Sequence, residues 1–150
     1  MSTPTVVGLI GATATGKTGV SIDVARRARE RGIEIEIVAL DSRQLYRGLD
    51  VGTGKPSSAE RSLVRHHLLD VLDVTETPDA MRYRQWVGEA LDAVWARGNV
   101  AMLVGGSGFY LRALREGFHA IDADEEARRA VREEVAALDD ATVDARLLAL

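Results

Sequence analysis

Thr5-Val-Val-Gly-Leu-Ile-Gly-Ala-Thr-Ala-Thr-Gly-Lys-Thr18 decides the fold. Thr5 to Ile10 reads as a short buried strand. It runs into Gly11-x-x-x-x-Gly16-Lys17-Thr18, the spacing of a phosphate-binding loop. An amphipathic helix follows to Glu30, with Val20, Val24, Ala25 and Ala28 on one face, and Gly32 ends it. In this setting the glycines let the backbone wrap so that its N–H groups point at an anion. The helix N-terminus adds partial positive charge. Lys17 supplies a point charge for a terminal phosphate, and the Thr18 hydroxyl can hold Mg2+. The candidate diphosphate or nucleotide ligands are therefore Gly11, Ala12, Thr13, Ala14, Thr15, Gly16, Lys17 and Thr18. The motif specifies a diphosphate or triphosphate without specifying ATP.

Outward from this loop, strands alternate with helices. Ile33, Ile35 and Ile37 alternate with Glu34 and Glu36 before the apolar Val38-Ala-Leu40, which predicts a second strand ending at Asp41. Ser42 to Ser58 holds three glycines and a proline and reads as a long loop. Leu68 to Leu72 is a candidate short strand. Thr77-Pro78-Asp79 opens a helix with Trp86, Val87, Ala90, Leu91, Val94 and Trp95 at helical spacing, closed by Gly98. Val100 to Val104 is a further strand, followed by Gly105-Gly-Ser-Gly108 and a helix from Phe109 to Glu116. Asp124 to Leu138 and Ala141 to Leu150 are expected to be helical. This alternation predicts a parallel sheet with right-handed crossovers and helices on both faces, a three-layer α/β/α fold of the P-loop NTPase-like kind. Ligands in such sheets lie beyond the C-terminal strand ends. Gly11–Thr18, Asp41–Gln44 and Gly105–Gly108 all fall there.

Composition narrows the function. Apolar residues make up 46% and aromatics 5%, which suits an aliphatic core. There is no cysteine, so disulfides and thiolate metal sites are excluded. No apolar run reaches the roughly 20 residues needed to cross a bilayer, and Met1 to Thr5 lacks a basic leader, so a cytoplasmic, non-membrane protein is expected. The net charge of −4 does not suggest a general nucleic-acid binder. Arg43 to Arg65 nevertheless carries five cations against Asp50 and Glu60, while Phe118 to Leu150 is acidic. Screening confines each field to about 10 Å, so a local basic stretch can meet phosphates.

Asp41 sits at a strand end beside the phosphate loop. It could act as a general base, bind Mg2+, or cap a turn. No acid ends the Val100–Val104 strand, and Asp73 sits in a less certain strand, so ATP hydrolysis is disfavoured. Lys17 and Lys55 are the only lysines, every other cation being arginine. Both lie in Gly-containing loops, where a retained lysine suggests a demand for a compact charge, with chance an alternative for Lys55. His66-His67 lacks a third ligand at metal spacing. The two rings should point to opposite faces of a strand, in structural or hydrogen-bonding roles. Trp86 and Trp95 fit helix packing better than base stacking.

Gly11–Thr18, Asp41-Ser-Arg-Gln-Leu-Tyr-Arg-Gly-Leu-Asp-Val-Gly-Thr-Gly-Lys-Pro56, His66-His-Leu-Leu-Asp70 and Leu103-Val-Gly-Gly-Ser-Gly-Phe-Tyr-Leu-Arg-Ala-Leu114 occur in order. Together they resemble the tRNA dimethylallyltransferases, or isopentenylpyrophosphate transferases, from Val6 to Arg132. The resemblance implies transfer of a dimethylallyl group from its diphosphate to N6 of the adenosine 3′ of the anticodon in tRNA. Mg2+ is required and pyrophosphate is released. It implies that Gly11–Thr18 binds the donor diphosphate, that Asp41 takes the N6 proton, and that Lys17 and Thr18 complete the catalytic set. Asp41, Ser42, Arg43, Gln44, Ser107 and Arg128 are implied tRNA contacts. Ser107 stands where the family usually has Thr, Gly54 where it has Ala, and Ala12 where Pro is common. Family members run to roughly twice this length, as two domains need. The chain is therefore expected to be a partial catalytic core, lacking the inserted helical domain and C-terminal half, and monomeric. Rival readings are an adenylate isopentenyltransferase, a small-molecule P-loop kinase, and a non-catalytic fragment that binds a diphosphate or tRNA.

Overall fold

A computed structural model describes residues 4–77, 80–106, 112, 114 and 125–148. One unit, Met1–Phe118, holds strands β1 (Val6–Ile10), β2 (Ile35–Leu40), β3 (His66–His67) and β4 (Val100–Gly105) with helices α1 (Lys17–Arg29), α2 (Ser58–Leu63) and α3 (Ala80–Ala96). The strands form one parallel sheet in the order β1-β4-β2-β3. The second unit, His119–Leu150, holds α4 (Glu125–Ala136) and α5 (Asp140–Leu148). Within it, Arg146 pairs with Glu134 at 2.7 Å, and Asp139 caps α5 by accepting the Thr142 N–H at 2.8 Å.

The two faces of the sheet follow from the alternation of strand side chains. On β2, Ile35 and Ile37 face α1, packing with Ile22, Ala25, Val64 and Met102. Val38 and Leu40 face α3, packing with Tyr83, Val87, Ala90 and Leu103. Both faces are covered, so all six β2 residues are buried, as parallel sheets require. The expected three-layer α/β/α order is present. The buried Tyr83 hydroxyl donates to the Ala39 carbonyl at 2.8 Å, tying α3 to the middle of β2.

Several expectations shift. β1 is at the sheet edge and pairs, among the described residues, only with β4, so Val6, Val7 and Ile10 are each about 40% exposed rather than buried. On α1, Ala25 and Ala28 do face the core, but Val20 and Val24 are exposed. The buried stripe instead runs through Ser21 and Ile22, because the register of the helix is set by the phosphate loop that starts it. The second strand begins at Ile35 and leaves Ile33 exposed. The expected strand over Leu68–Leu72 reduces to a single bridge, Tyr46 to Leu72, because Leu68 and Asp70 adopt left-handed φ values that break an extended run. Thr77 is described while Pro78 and Asp79 are not, and α3 is described from Ala80. Of the Phe109–Glu116 helix only Arg112 and Leu114 are described, both helical. Among the described residues no helix is long and apolar enough to cross a membrane.

At the N-terminal end of β2, Glu36 is buried among hydrogen bonds. Arg97 reaches it with two bonds of 2.7 Å, Asn99 with one of 2.7 Å and His67 with one of 2.6 Å. Burial alone would raise its carboxyl, but the bonds from Arg97, His67 and Asn99 outweigh burial and hold it at about 2. Glu36 thereby joins β2, β3 and the α3–β4 turn. Glu36→Gln is expected to lower stability by roughly 1.5–3 kcal/mol at pH 7, the range for hydrogen bonds to a charged group. The carboxyl is held below its ordinary 4.5. Its contribution is therefore complete above that value and fades as pH falls towards 2. Urea unfolding of both proteins from pH 7 down to pH 3 should show the gap narrowing with acid. A constant gap would contradict this.

Candidate active site

The C-terminal ends of β1, β4 and β2 meet because β4 ends in two glycines. A Cβ at Gly105 would stand 1.9 Å from the Leu40 carbonyl oxygen, and one at Gly106 would stand 2.8 Å from the Gly11 carbonyl oxygen. The Gly11 N–H also donates to the Gly105 carbonyl at 3.3 Å. A carboxylate at the end of β4 is therefore excluded by contact, which accounts for the missing acid there. Asp73 does not replace it. It is exposed, and its carboxylate accepts from Thr75 within a turn.

The loop from Gly11 to Gly16 curls above these strand ends. Ala14 and Gly16 both take positive φ, at 63° and 80°. Gly16 caps α1 with its backbone and no side-chain bond, leaving the first N–H groups of the helix facing the loop. Thr15 and Lys17 both donate to the Ala12 carbonyl, which folds the Lys17 ammonium over the loop and close to Gly106. Beneath Thr18, the fully buried Ser21 hydroxyl donates to the Thr18 carbonyl at 2.8 Å.

Thr13 to Thr18 form one side of a pocket of about 310 Å³. Asp41, Gln44, Thr53, Gly54, Pro56 and His66 form the rest of the wall, over a floor of Ile37, Ala39 and Val104. Asp41 Oδ1 accepts the Arg43 N–H at 2.9 Å. The cap reading of Asp41 is thus satisfied by one oxygen, while Asp41 also lines the same pocket as Lys17. Gln44 Nε2 donates to the carbonyls of Thr53 and Gly54, at 3.3 and 3.1 Å, and fixes the far wall.

The sequence-derived candidates divide accordingly. Asp41, Gln44 and Thr13 to Thr18 line one pocket; Gly11 and Ala12 do not line it, Gly11 bonding to Gly105 and the Ala12 carbonyl accepting from Thr15 and Lys17. Ser42 and Arg43 do not line it, and Arg43 is exposed. Ser107 lies outside the described residues. Arg128 is on α4 in the second unit, and its side chain is not among those described.

His66 belongs to the pocket and was missed. Its Nδ1 donates to the Val64 carbonyl at 2.8 Å, which leaves Nε2 as an acceptor. Burial lowers its pKa, with the Arg61 and His67 charges acting the same way against the Val64 bond and Glu60. The ring is neutral at neutral pH. Parity in β3 carried the signal. His67 turns to Glu36, so its neighbour must face the other way, towards α1 and the phosphate loop.

A family model described as IPP transferase matches residues 44–150. The tRNA dimethylallyltransferase of Anaeromyxobacter sp. strain Fw109-5 is 46% identical over 143 residues, covering 95% of this chain and 46% of that protein. The crystal structure of the full-length tRNA isopentenylpyrophosphate transferase from Bacillus halodurans superposes with a TM-score of 0.71 at 31% identity, over 97% of this chain and 47% of that one. A eukaryotic dimethylallyltransferase acting on tRNA matches with a TM-score of 0.65 at 29% identity, over 73% of this chain and 26% of that one. The chain spans less than half the length of the curated relatives it matches.

The two glycines make separable predictions. Gly105→Ala drives a methyl group into the Leu40 backbone and should prevent a cooperative thermal transition. Gly106→Ala meets only the Gly11 carbonyl, which can yield by moving the phosphate loop. It should keep a cooperative transition and weaken magnesium pyrophosphate binding by about tenfold or more, roughly 1.4 kcal/mol. Calorimetric titration and thermal unfolding measure both. Unchanged binding by Gly106→Ala would separate the phosphate loop from β4.

Proposed function

The chain belongs to the IPP transferase family, and from that premise we propose that it carries the catalytic core of a tRNA dimethylallyltransferase. In this reading a dimethylallyl group passes from dimethylallyl diphosphate to N6 of the adenosine 3′ of the anticodon. The observation that carries it is the presence, in the lining of one pocket, of both the phosphate loop and Asp41.

The donor diphosphate is placed against the Gly11–Thr18 backbone and the α1 N-terminus, with Lys17 as its charge-assisted donor. The allylic carbon then points across the pocket towards Asp41. The adenine must leave its stack and enter from the loop side. N6 attacks the allylic carbon, the carbon–oxygen bond breaks, and its electron pair leaves on pyrophosphate. The N6 proton passes to Asp41. An exocyclic amine is a weak nucleophile because its lone pair is delocalised into the ring, and a carboxylate accepting the proton localises that pair. The Thr18 hydroxyl offers a hard oxygen at the loop, which fits Mg2+, an ion that takes few protein oxygens and fills the rest of its shell with phosphate and water. When bound there, Mg2+ would neutralise charge on the leaving pyrophosphate. A kinase of this fold would instead transfer phosphate. An adenylate isopentenyltransferase would accept AMP, so parallel assays with tRNA, AMP and a phosphate acceptor separate the three.

Asp41→Asn keeps the acceptor for the Arg43 N–H and removes the basicity. The transfer step should slow by about 10²–10⁴-fold while magnesium pyrophosphate binds as before. Single-turnover transfer at saturating substrates, against a pyrophosphate titration, measures the two. A rate within about threefold of the parent would exclude the base role. Lys17→Ala should do the reverse to binding. It should weaken pyrophosphate by roughly 10–100-fold, the range for a hydrogen bond to a charged group, and leave tRNA binding unaffected. Equal loss of both ligands would count against this placement.

A further inference from the structure

Lys55, the second of the two lysines, is outside the catalytic pocket and unused by the transfer chemistry, yet its side chain is only 1% exposed. Its ammonium donates to the Tyr46 carbonyl at 2.6 Å, Asp70 Oδ1 at 2.8 Å and Asp50 Oδ1 at 2.9 Å. An ammonium has three N–H donors, and all three are used. Asp70 Oδ2 accepts from Arg61 at 2.6 Å, and Arg61 Nε donates to the Pro56 carbonyl at 2.9 Å. The cluster is balanced, two cations against two carboxylates. Burial would lower the Lys55 pKa, and the paired Asp70 and Asp50 carboxylates instead raise it.

Around this ammonium the chain is coiled. Gly48, Gly52 and Gly54 all take left-handed φ, and the Thr53 hydroxyl donates to the Leu49 carbonyl at 2.7 Å. Gln44 to Arg47 is zipped to Asp70–Leu72 by backbone bonds, from Asp70 N–H to the Gln44 carbonyl, from Val71 and Leu72 to Leu45, and from Arg47 to the Leu72 carbonyl. Asp70 holds its own left-handed φ of 58° at the point where Lys55 grips it. The far wall of the pocket, formed by Gln44, Thr53, Gly54 and Pro56, thus hangs from one buried charge behind it.

We propose that Lys55 is the positioning residue for the acceptor side of the pocket, fixing the wall that receives the adenine base against the Asp41 carboxylate. This rests on the transfer reading given above. Among the described residues the phosphate loop shares no bond with the cluster, so donor binding is expected to be independent of it. Arginine cannot substitute, because a planar fork does not fit three acceptors around one point.

The test compares the parent chain with Lys55→Met, Lys55→Arg and the milder Asp50→Asn, which removes the charge of one exposed partner. Amide hydrogen exchange should quicken at Leu72, Val71, Asp70 and Arg47 in both Lys55 variants, and less in Asp50→Asn, with β4 amides unchanged. Prenyl transfer to an anticodon stem-loop RNA should lose about 10²-fold in kcat/KM for the RNA, the scale of a misplacement near 1 Å. The KM for dimethylallyl diphosphate should stay within about twofold, and Lys55→Arg should not rescue. Exchange that quickens uniformly, or not at all, overturns the proposal. So do parallel losses for donor and RNA, or full activity in Lys55→Arg. If the parent chain transfers nothing, as expected of a partial core, the exchange pattern alone decides whether Lys55 holds this wall.

Discussion

The backbones of β2 and β4 approach so closely at Leu40 and Gly105 that no side chain fits between them. Everything in the pocket depends on that approach. It brings the end of β2, with Asp41, next to the end of β1, with the phosphate loop, although β4 lies between them in the sheet. A side chain on β4 at this level would separate the two walls. The constraint also selects the chemistry. The position where an ATP-hydrolysing relative of this fold could carry an acid has no room for one, and among the described residues lining the pocket the carboxylate is that of Asp41.

Two buried polar clusters hold the sheet at opposite ends. Glu36 ties the N-terminal end of β2 to β3 and the α3–β4 turn. Lys55 ties the loop beyond the C-terminal end of β2 to the segment that follows β3. Both clusters surround one buried charge with opposite charges and hydrogen bonds, and among the described residues no buried side-chain polar atom lacks a partner. Removing one partner from such a group costs more than the pair contributes when whole. The apolar layers between them are mostly aliphatic, with Tyr83 the largest buried side chain.

The phosphate loop, the alternation of strands and helices, and the convergence at one edge were legible because each is local. A glycine spacing or a period of two or 3.6 needs no knowledge of the rest of the chain. What failed depended on neighbours. β1 read as buried because Val-Val-Gly-Leu-Ile is apolar, and only the strand order places it at an edge. Val20 and Val24 read as core because they fit the period, but the rotation of α1 is fixed by Gly16 and Lys17. The Leu68–Leu72 strand failed on two left-handed residues that carry no glycine to announce them. The opposite faces and hydrogen-bonding roles of His66 and His67 follow from strand parity, but that His66 faces the pocket depends on which face α1 and the phosphate loop cover.

The sheet order has a further consequence, for the timing of assembly. β1 is made first, yet in this sheet it pairs with β4, Val6 against Ala101 and Ile10 against Gly105. Contacts between segments so distant in sequence close late, because the chain entropy of the intervening loop must be overcome first. As the chain emerges from a ribosome, the phosphate loop precedes every other part of the pocket, and its supporting strand waits unpaired until Gly106 has followed. During that interval the valines of β1 are an open strand edge, the kind of surface on which a growing chain meets chaperones or another copy of itself.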